Sequence, residues 1–231
     1  MNYLILLASG SGKRMNNTTP KQFLEILNKP LIYYSLTTFE NNKNIDEVVI
    51  VTKRKYFKKM YQIIEEYSFD KVHLIVEGGK YRQESSYNAL MALNGFAIKD
   101  DIVIIHDAAR PLISNEDINN LILAMEKHTS ASLGTKVVDT TIKVKNHKFL
   151  ETIDRDDLIS IQTPQAFKYG AILRAHKKAL KEGIKSATDD AQLMCLLNKK
   201  YYIVEGNKQN FKITTESDLI LLESILRRNN S

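Results

Sequence analysis

Tyr3-Leu4-Ile5-Leu6-Leu7-Ala8-Ser9-Gly10-Ser11-Gly12-Lys13-Arg14-Met15 sets the architecture of this chain. Six apolar residues run without alternation into a turn holding two glycines and two cations. A short run that is apolar on both faces and closed by glycine reads as a strand buried in a parallel sheet. The segment has no basic leader, so it reads as a first strand and not as a signal peptide. The glycines permit close backbone approach, and their amides can face an anion. Lys13 and Arg14 add fixed positive charge, and Lys21 follows Pro20. Such a loop suits a triphosphate, although a plain strand–helix turn with solvated charges has the same composition. Two familiar loops are excluded. A Walker A loop requires a glycine where Leu7 stands and Ser or Thr where Arg14 stands. A dinucleotide fingerprint requires a third glycine where Met15 stands.

Three further apolar runs, Glu47–Thr52, Val72–Val76 and Ile102–His106, read as strands of the same kind. Helical patterns alternate with them at Leu31–Phe39, Phe57–Tyr67, Ser85–Leu93 and Asp117–Lys127. This order predicts an α/β fold with a mostly parallel central sheet covered on both faces. Ligands on such sheets sit at the carboxyl ends of the strands, so the loops after the first, third and fourth strands are the candidate site. Beyond Leu133–Val138 the texture changes. Asp139–Arg155 alternates in character around an Asn146-His147 turn, which predicts a projecting β-hairpin arm. Helices are expected at Tyr169–Leu180, Asp189–Leu197 and Glu216–Arg227, with a late strand at Tyr201–Val204 and a capping box from Thr215 to Asp218. No repeat or linker is evident, so residues 1–231 read as a single domain with an arm at about 139–155.

Composition bounds the class. A chain of 231 residues, 43% hydrophobic, can bury a sizeable core. No apolar run approaches the roughly 18 residues of a membrane span, and a lone cysteine, Cys195, fits a reducing cytoplasm. The net charge of +6 comes from scattered lysines, with no arginine-rich tract or nucleic-acid motif. The cations lodged in turns after strands point instead to an anionic small substrate.

Three later segments add chemistry. Glu77-Gly78-Gly79-Lys80-Tyr81-Arg82-Gln83-Glu84-Ser85 pairs glycines where a backbone can meet a base or ribose, with Ser85 also placed to cap a helix. Ile105-His106-Asp107-Ala108-Ala109-Arg110-Pro111 ends a strand on a carboxylate. Asp107 suits a magnesium ion bridging nucleotide phosphates, or a buried ion pair with Arg110; His106 reads as a packed strand residue. Asp154-Arg155, Gln162-Thr163-Pro164-Gln165, Thr188-Asp189-Asp190-Ala191 and Asn210-Phe211-Lys212-Ile213-Thr214 each bring a cation or hydroxyl to a loop or strand end.

Taken in order, these segments resemble the 2-C-methyl-D-erythritol 4-phosphate cytidylyltransferase family of isoprenoid synthesis, from Leu4 to about Glu223. The ribitol-5-phosphate cytidylyltransferases share much of the pattern. The resemblance implies a Rossmann-like nucleotidyltransferase, cytoplasmic, that forms a homodimer through its arm. It moves CMP from CTP to an acceptor phosphate with Mg²⁺. Ala8, Ser9, Gly10, Gly12 and Lys13 would line the triphosphate, with Arg14 and Lys21 as the main catalytic cations. Gly79, Arg82 and Ser85 would flank the cytidine, and Ala108 and Arg110 would lie close to the nucleotide. Asp107 would hold the metal. Thr140, Arg155, Thr163, Thr188 and Lys212 would meet the acceptor, with Arg155 and Lys212 also catalytic. Ala108-Ala109 and Asp190 favour methylerythritol phosphate over ribitol phosphate. Arg14, Lys21, Asp107 and Lys212 are all present, which weighs against a silent nucleotide-binding module. Lys80 departs from the pattern, standing where an acidic residue is common.

Overall fold

The computed structural model describes residues 1–10 and 19–229. Four parallel strands form its centre: β1 (Asn2–Leu7), β4 (Glu47–Thr52), β5 (Val72–Glu77) and β6 (Ile102–Asp107). Two short strands, β2 (Glu25–Ile26) and β3 (Lys29–Pro30), form a small antiparallel pair between the first and second of these. The sheet continues through β10 (Ile159–Lys168), β7 (Ser130–Lys136) and β11 (Tyr202–Glu205), giving the order β11-β7-β10-β6-β1-β4-β5.

Alternation along each strand explains the apolar runs. Leu4, Leu6, Val48, Ile50 and Ile104 face one layer. There they meet α1 (Leu31–Glu40), α2 (Phe57–Glu66) and α4 (Asn115–Ala124) through residues such as Leu36, Phe39, Met60 and Leu121. Tyr3, Ile5, Val49, Val51 and Val103 face the other. They pack on α3 (Arg82–Ala92), α5 (Tyr169–Lys181) and α6 (Ala191–Met194) through Leu90, Ile172 and Leu193. A strand covered on both sides has no polar face to alternate with. The closing helix α7 (Glu216–Asn229) seats Leu222 against Ile26, Leu31 and Ile213 in a separate cluster. Asp218 accepts hydrogen bonds from the backbone N–H groups of Thr214 and Thr215 at 2.7 and 2.8 Å, closing the first turn of α7.

The arm is a hairpin of β8 (Thr141–Lys145) and β9 (Lys148–Ile153). Its turn residues Asn146 and His147 have φ of 50° and 61°, the left-handed pair that a type I′ turn requires.

Three elements differ from the sequence expectation. The segment around Gln162–Gln165 is strand interior, not a loop or strand end: β10 pairs antiparallel with both β6 and β7. Pro164 falls where the register shifts between Ile161 and Gln165, so a proline sits within a central strand at a bulge, where its missing N–H does no harm. The helix expected over Asp189–Leu197 is a four-residue α6 followed by a 3-10 turn, Cys195–Leu197, ended by Asn198 in the left-handed region. The helix expected from Ser85 begins three residues earlier, at Arg82.

Candidate active site

From β1 the chain steps to β4 and β5 on one side, then crosses to β6 on the other. The reversal leaves a crevice outside the carboxyl ends of β1 and β6, where doubly wound sheets bind ligands. A cavity of about 320 Å³ occupies it. Its wall comes from the end of β1 (Leu7–Gly10), the end of β6 (Asp107–Ala109), the β5–α3 loop (Gly79–Arg82, with Ser85), Lys21 with Gln22, Lys53 and Lys212.

Local chemistry holds these loops in place. Buried Gln22 donates to the Ala8 carbonyl at 2.6 Å, tying the Lys21 turn to the end of β1. The Ser85 hydroxyl accepts from the Gly79 N–H at 3.1 Å and lies 3.2 Å from the Ser9 hydroxyl, so the first and third loops meet. Gly78 is required by that approach: a Cβ there would come within 2.5 Å of the Ser9 Cβ. The Lys212 segment is anchored at three points. Ile213 N–H donates to the Ala109 carbonyl at 2.8 Å, Arg110 donates to the Asn210 carbonyl at 2.7 Å, and Asn210 donates to the Thr163 carbonyl at 2.9 Å. Lys21 reaches the same segment, donating to the Ile213 carbonyl at 3.0 Å.

Among the described residues, five cations of the wall, Lys21, Lys53, Lys80, Arg82 and Lys212, face a single lining carboxylate, Asp107. Asp107 pairs with Arg82 at 3.2 Å and with Lys212 at 2.5 Å, and not with Arg110. Burial opposes ionisation of Asp107, but the charges of Arg82 and Lys212 outweigh it and hold the carboxyl well below the usual carboxylate range. Arg82 is itself half-buried. Its cost of desolvation is more than offset by Asp190 and Asp107, which lift its pKa further above the ordinary value.

Beneath Asp107, His106 is fully buried, and burial pushes its pKa down to about 4. The ring is therefore neutral. Its Nε2 faces the Arg110 carbonyl at 3.0 Å and so carries the proton. Its Nδ1 accepts from the Thr163 hydroxyl at 3.3 Å, and that oxygen accepts the Asp107 N–H at 3.0 Å. His106 is thus a packed strand residue that sets the end of β6.

Of the residues expected from sequence, the fold gathers Ala8, Ser9, Gly10, Lys21, Gly79, Arg82, Ser85, Asp107, Ala108 and Lys212 around one cavity. Gly12, Lys13 and Arg14 lie outside the described residues. Arg110 is turned to the Lys212 segment, and Thr163 lies below the cavity floor with its hydroxyl engaged. Thr188 is exposed and bonds Gln192 at 3.4 Å. Thr140 and Arg155 line a shallow cleft at the base of the arm, with Arg155 donating to the Val138 carbonyl at 3.0 Å. Lys53 escaped the sequence reading, which passed over the loop after the second strand. The rule that binding residues follow parallel strands reaches that loop equally well.

A family model described as IspD: 2-C-methyl-D-erythritol 4-phosphate cytidylyltransferase matches residues 3–228. A 2-C-methyl-D-erythritol 4-phosphate cytidylyltransferase of Clostridium botulinum (strain Loch Maree / Type A3) is 45% identical over 230 residues, with 98% of both chains covered. One of Clostridium acetobutylicum is 42% identical over 232 residues, with 99% of both covered. Among solved structures, the 4-diphosphocytidyl-2C-methyl-D-erythritol synthase of Anaerococcus prevotii DSM 20548 superposes with a TM-score of 0.84 at 29% identity, covering 98% of each chain.

Proposed function

The chain belongs to the 2-C-methyl-D-erythritol 4-phosphate cytidylyltransferase family, and from that premise we propose that it moves CMP from CTP onto 2-C-methyl-D-erythritol 4-phosphate and releases pyrophosphate. The observation that carries this reading is the cavity at the strand reversal, where, among the described residues, five cations surround one ionised carboxylate. That balance matches a ligand with several negative charges close together.

An acceptor phosphate oxygen attacks the α-phosphorus of CTP in line, the bond to the β-phosphate oxygen breaks, and pyrophosphate leaves. Charge grows on the α-phosphate oxygens and the leaving group. Lys21 and Lys212, fixed by their bonds to the Ile213 carbonyl and to Asp107, are placed to stabilise it without reorganising. The acceptor phosphate is already ionised at neutral pH, so no general base is required. That suits a wall with no His or Ser–His pair among the described residues.

Asp107 is the residue suited to hold Mg²⁺. Among the described residues no group of three His, Cys, Asp or Glu could hold a metal by itself. Magnesium, however, commonly takes one carboxylate and completes its shell with substrate phosphates and water. When bound there, the ion would neutralise phosphate charge during transfer.

The arm exposes Ile142, Val144, Phe149 and Leu150, an apolar surface that supports a homodimer. Thr140 and Arg155 stand at its base, away from the cavity of their own chain, which supports delivery of these two residues to a second copy's acceptor. Gly12, Lys13 and Arg14, in the continuation of the first loop, would complete the triphosphate site. No helix among the described residues is long and apolar enough to cross a membrane, and a lone cysteine supports a cytoplasmic enzyme.

The test supplies purified protein with CTP and Mg²⁺ and offers methylerythritol 4-phosphate and ribitol 5-phosphate in parallel. Pyrophosphate is expected with the first acceptor alone. Turnover with ribitol phosphate alone would move the enzyme to polyol-phosphate chemistry.

A further inference from the structure

Behind the cavity a chain of buried polar groups runs from α3 to α5 on one side of the sheet. Asp190, 1% exposed, accepts from Arg82 Nη1 at 2.5 Å, from His176 Nε2 at 3.0 Å and from the Ser86 hydroxyl at 3.2 Å. Its own N–H and that of Ala191 both donate to Gln165 Oε1 at 3.1 Å. His176, on α5, is fully buried and stacks on Tyr87 with ring centres 6.0 Å apart. Burial alone would raise the pKa of Asp190, but Arg82 and His176 bring it down to about 2.

We infer that His176 and Asp190 are positioning residues for nucleotide binding, acting through Arg82. This rests on the reading that CTP fills the cavity. Arg82 lines the cavity and has two nitrogens held from behind: Nη1 by Asp190 and Nε by Asp107. Its third nitrogen, Nη2, is buried without a partner, so the fold leaves one donor of this guanidinium unsatisfied. Asp190 also competes with Asp107 for the same cation. Without it, Arg82 is free to turn its fork onto Asp107 as a two-pronged pair, drawing that carboxylate from Lys212 and closing the cavity wall. His176 donates the bond that holds the Asp190 carboxylate in the plane Arg82 needs. Neither His176 nor Asp190 lines the cavity.

The test is calorimetric titration of CTP with Mg²⁺, without acceptor, on the full chain, with folding followed by circular dichroism. His176→Leu is expected to raise the Kd by about tenfold, the usual scale for removing an outer-shell partner. His176→Gln, whose amide can donate to Asp190 in place of the ring, is expected to restore most of that affinity. Arg82→Ala weakens binding, and adding His176→Leu to it weakens binding no further, because the partner through which His176 acts is gone. An equal loss from His176→Leu in both backgrounds, or equal affinities for the Leu and Gln variants, overturns the inference. So does Arg82→Ala with wild-type affinity. If His176→Leu does not fold, Asp190→Asn, which keeps the shape and removes the charge, takes its place in the same cycle. Wild-type protein that fails to bind CTP overturns the nucleotide reading, and the inference falls with it.

Discussion

Replacing Asp107 with Asn tests whether the centre of the site is an ion network. The amide keeps the shape of the carboxyl, but it removes the charge and turns one of the two acceptor oxygens into an NH₂ donor. Two partners are affected. Arg82, 23% exposed, keeps Asp190, so it loses one of two charge-assisted bonds, a matter of about 1.5–3 kcal/mol. Lys212, 38% exposed, is screened by solvent and loses at most about 1 kcal/mol. The amide oxygen can keep one of the two bonds while its NH₂ group turns a donor toward the other cation, so the expected destabilisation at neutral pH is about 2–3 kcal/mol, less than the 3–5 of a fully buried pair. The pH dependence fixes the cause. The folded-state pKa of Asp107 is depressed, so the native state binds fewer protons than the unfolded chain. The stability this provides is present above the unfolded value of about 3.9 and is lost as pH falls toward the native value. Asp190 is depressed as well, but it stays in both proteins and cancels in the difference. Urea unfolding followed by far-UV circular dichroism suits a chain without tryptophan. The gap between wild type and Asp107→Asn should be constant from pH 8 to pH 5 and narrow below pH 4. A variant as stable as wild type at pH 7, or a gap of the same size at pH 3, refutes the network.

Lys21→Ala should lower turnover by about 10²–10³. Loss of its bond to the Ile213 carbonyl should change unfolding stability by about 1 kcal/mol. Full activity in that variant sinks its assignment to the phosphates. Gly78→Ala should raise the KM for CTP by about tenfold, equivalent to about 1.4 kcal/mol, because the new methyl forces the second loop off Ser9; an unchanged KM would show that the loops move apart freely. Lys53→Met, at an exposed position on the cavity rim, should raise that KM about threefold at low salt. The effect should fade as added salt screens the amine; a deficit that persists at high salt points to a packing role instead.

The parallel core was legible because its strands are buried on both faces and so appear as unbroken apolar runs. β10 was not, and the reason lies in its residues. Gln162, Thr163, Pro164 and Gln165 look like a loop, yet they occupy the sheet interior because each polar side chain finds a partner: Gln165 on the Asp190 and Ala191 amides, Thr163 on Asp107 and His106, Gln162 on the Asn207 carbonyl. Hydrogen-bond satisfaction of that kind is three-dimensional and leaves no periodicity. The same applies to the site. Loops that follow strands announce themselves by glycine and charge, and most of the wall was found that way. The partner of Asp107 was not: spacing suggested Arg110, three residues away, whereas the fold supplies Lys212 and Arg82 from 105 and 25 positions off. His176 carried no local signal, and Asp190 stood out in its segment without revealing its partner, since their joint role comes from Arg82, a residue 108 positions from Asp190.

The central claim is transfer of a cytidylyl group, and the measurement that meets it most directly is the mass of the product. Incubated with CTP, Mg²⁺ and methylerythritol 4-phosphate, the enzyme should form 4-diphosphocytidyl-2-C-methylerythritol, with pyrophosphate in equal amount. Release of CMP without a coupled product, or of orthophosphate in place of pyrophosphate, would contradict it.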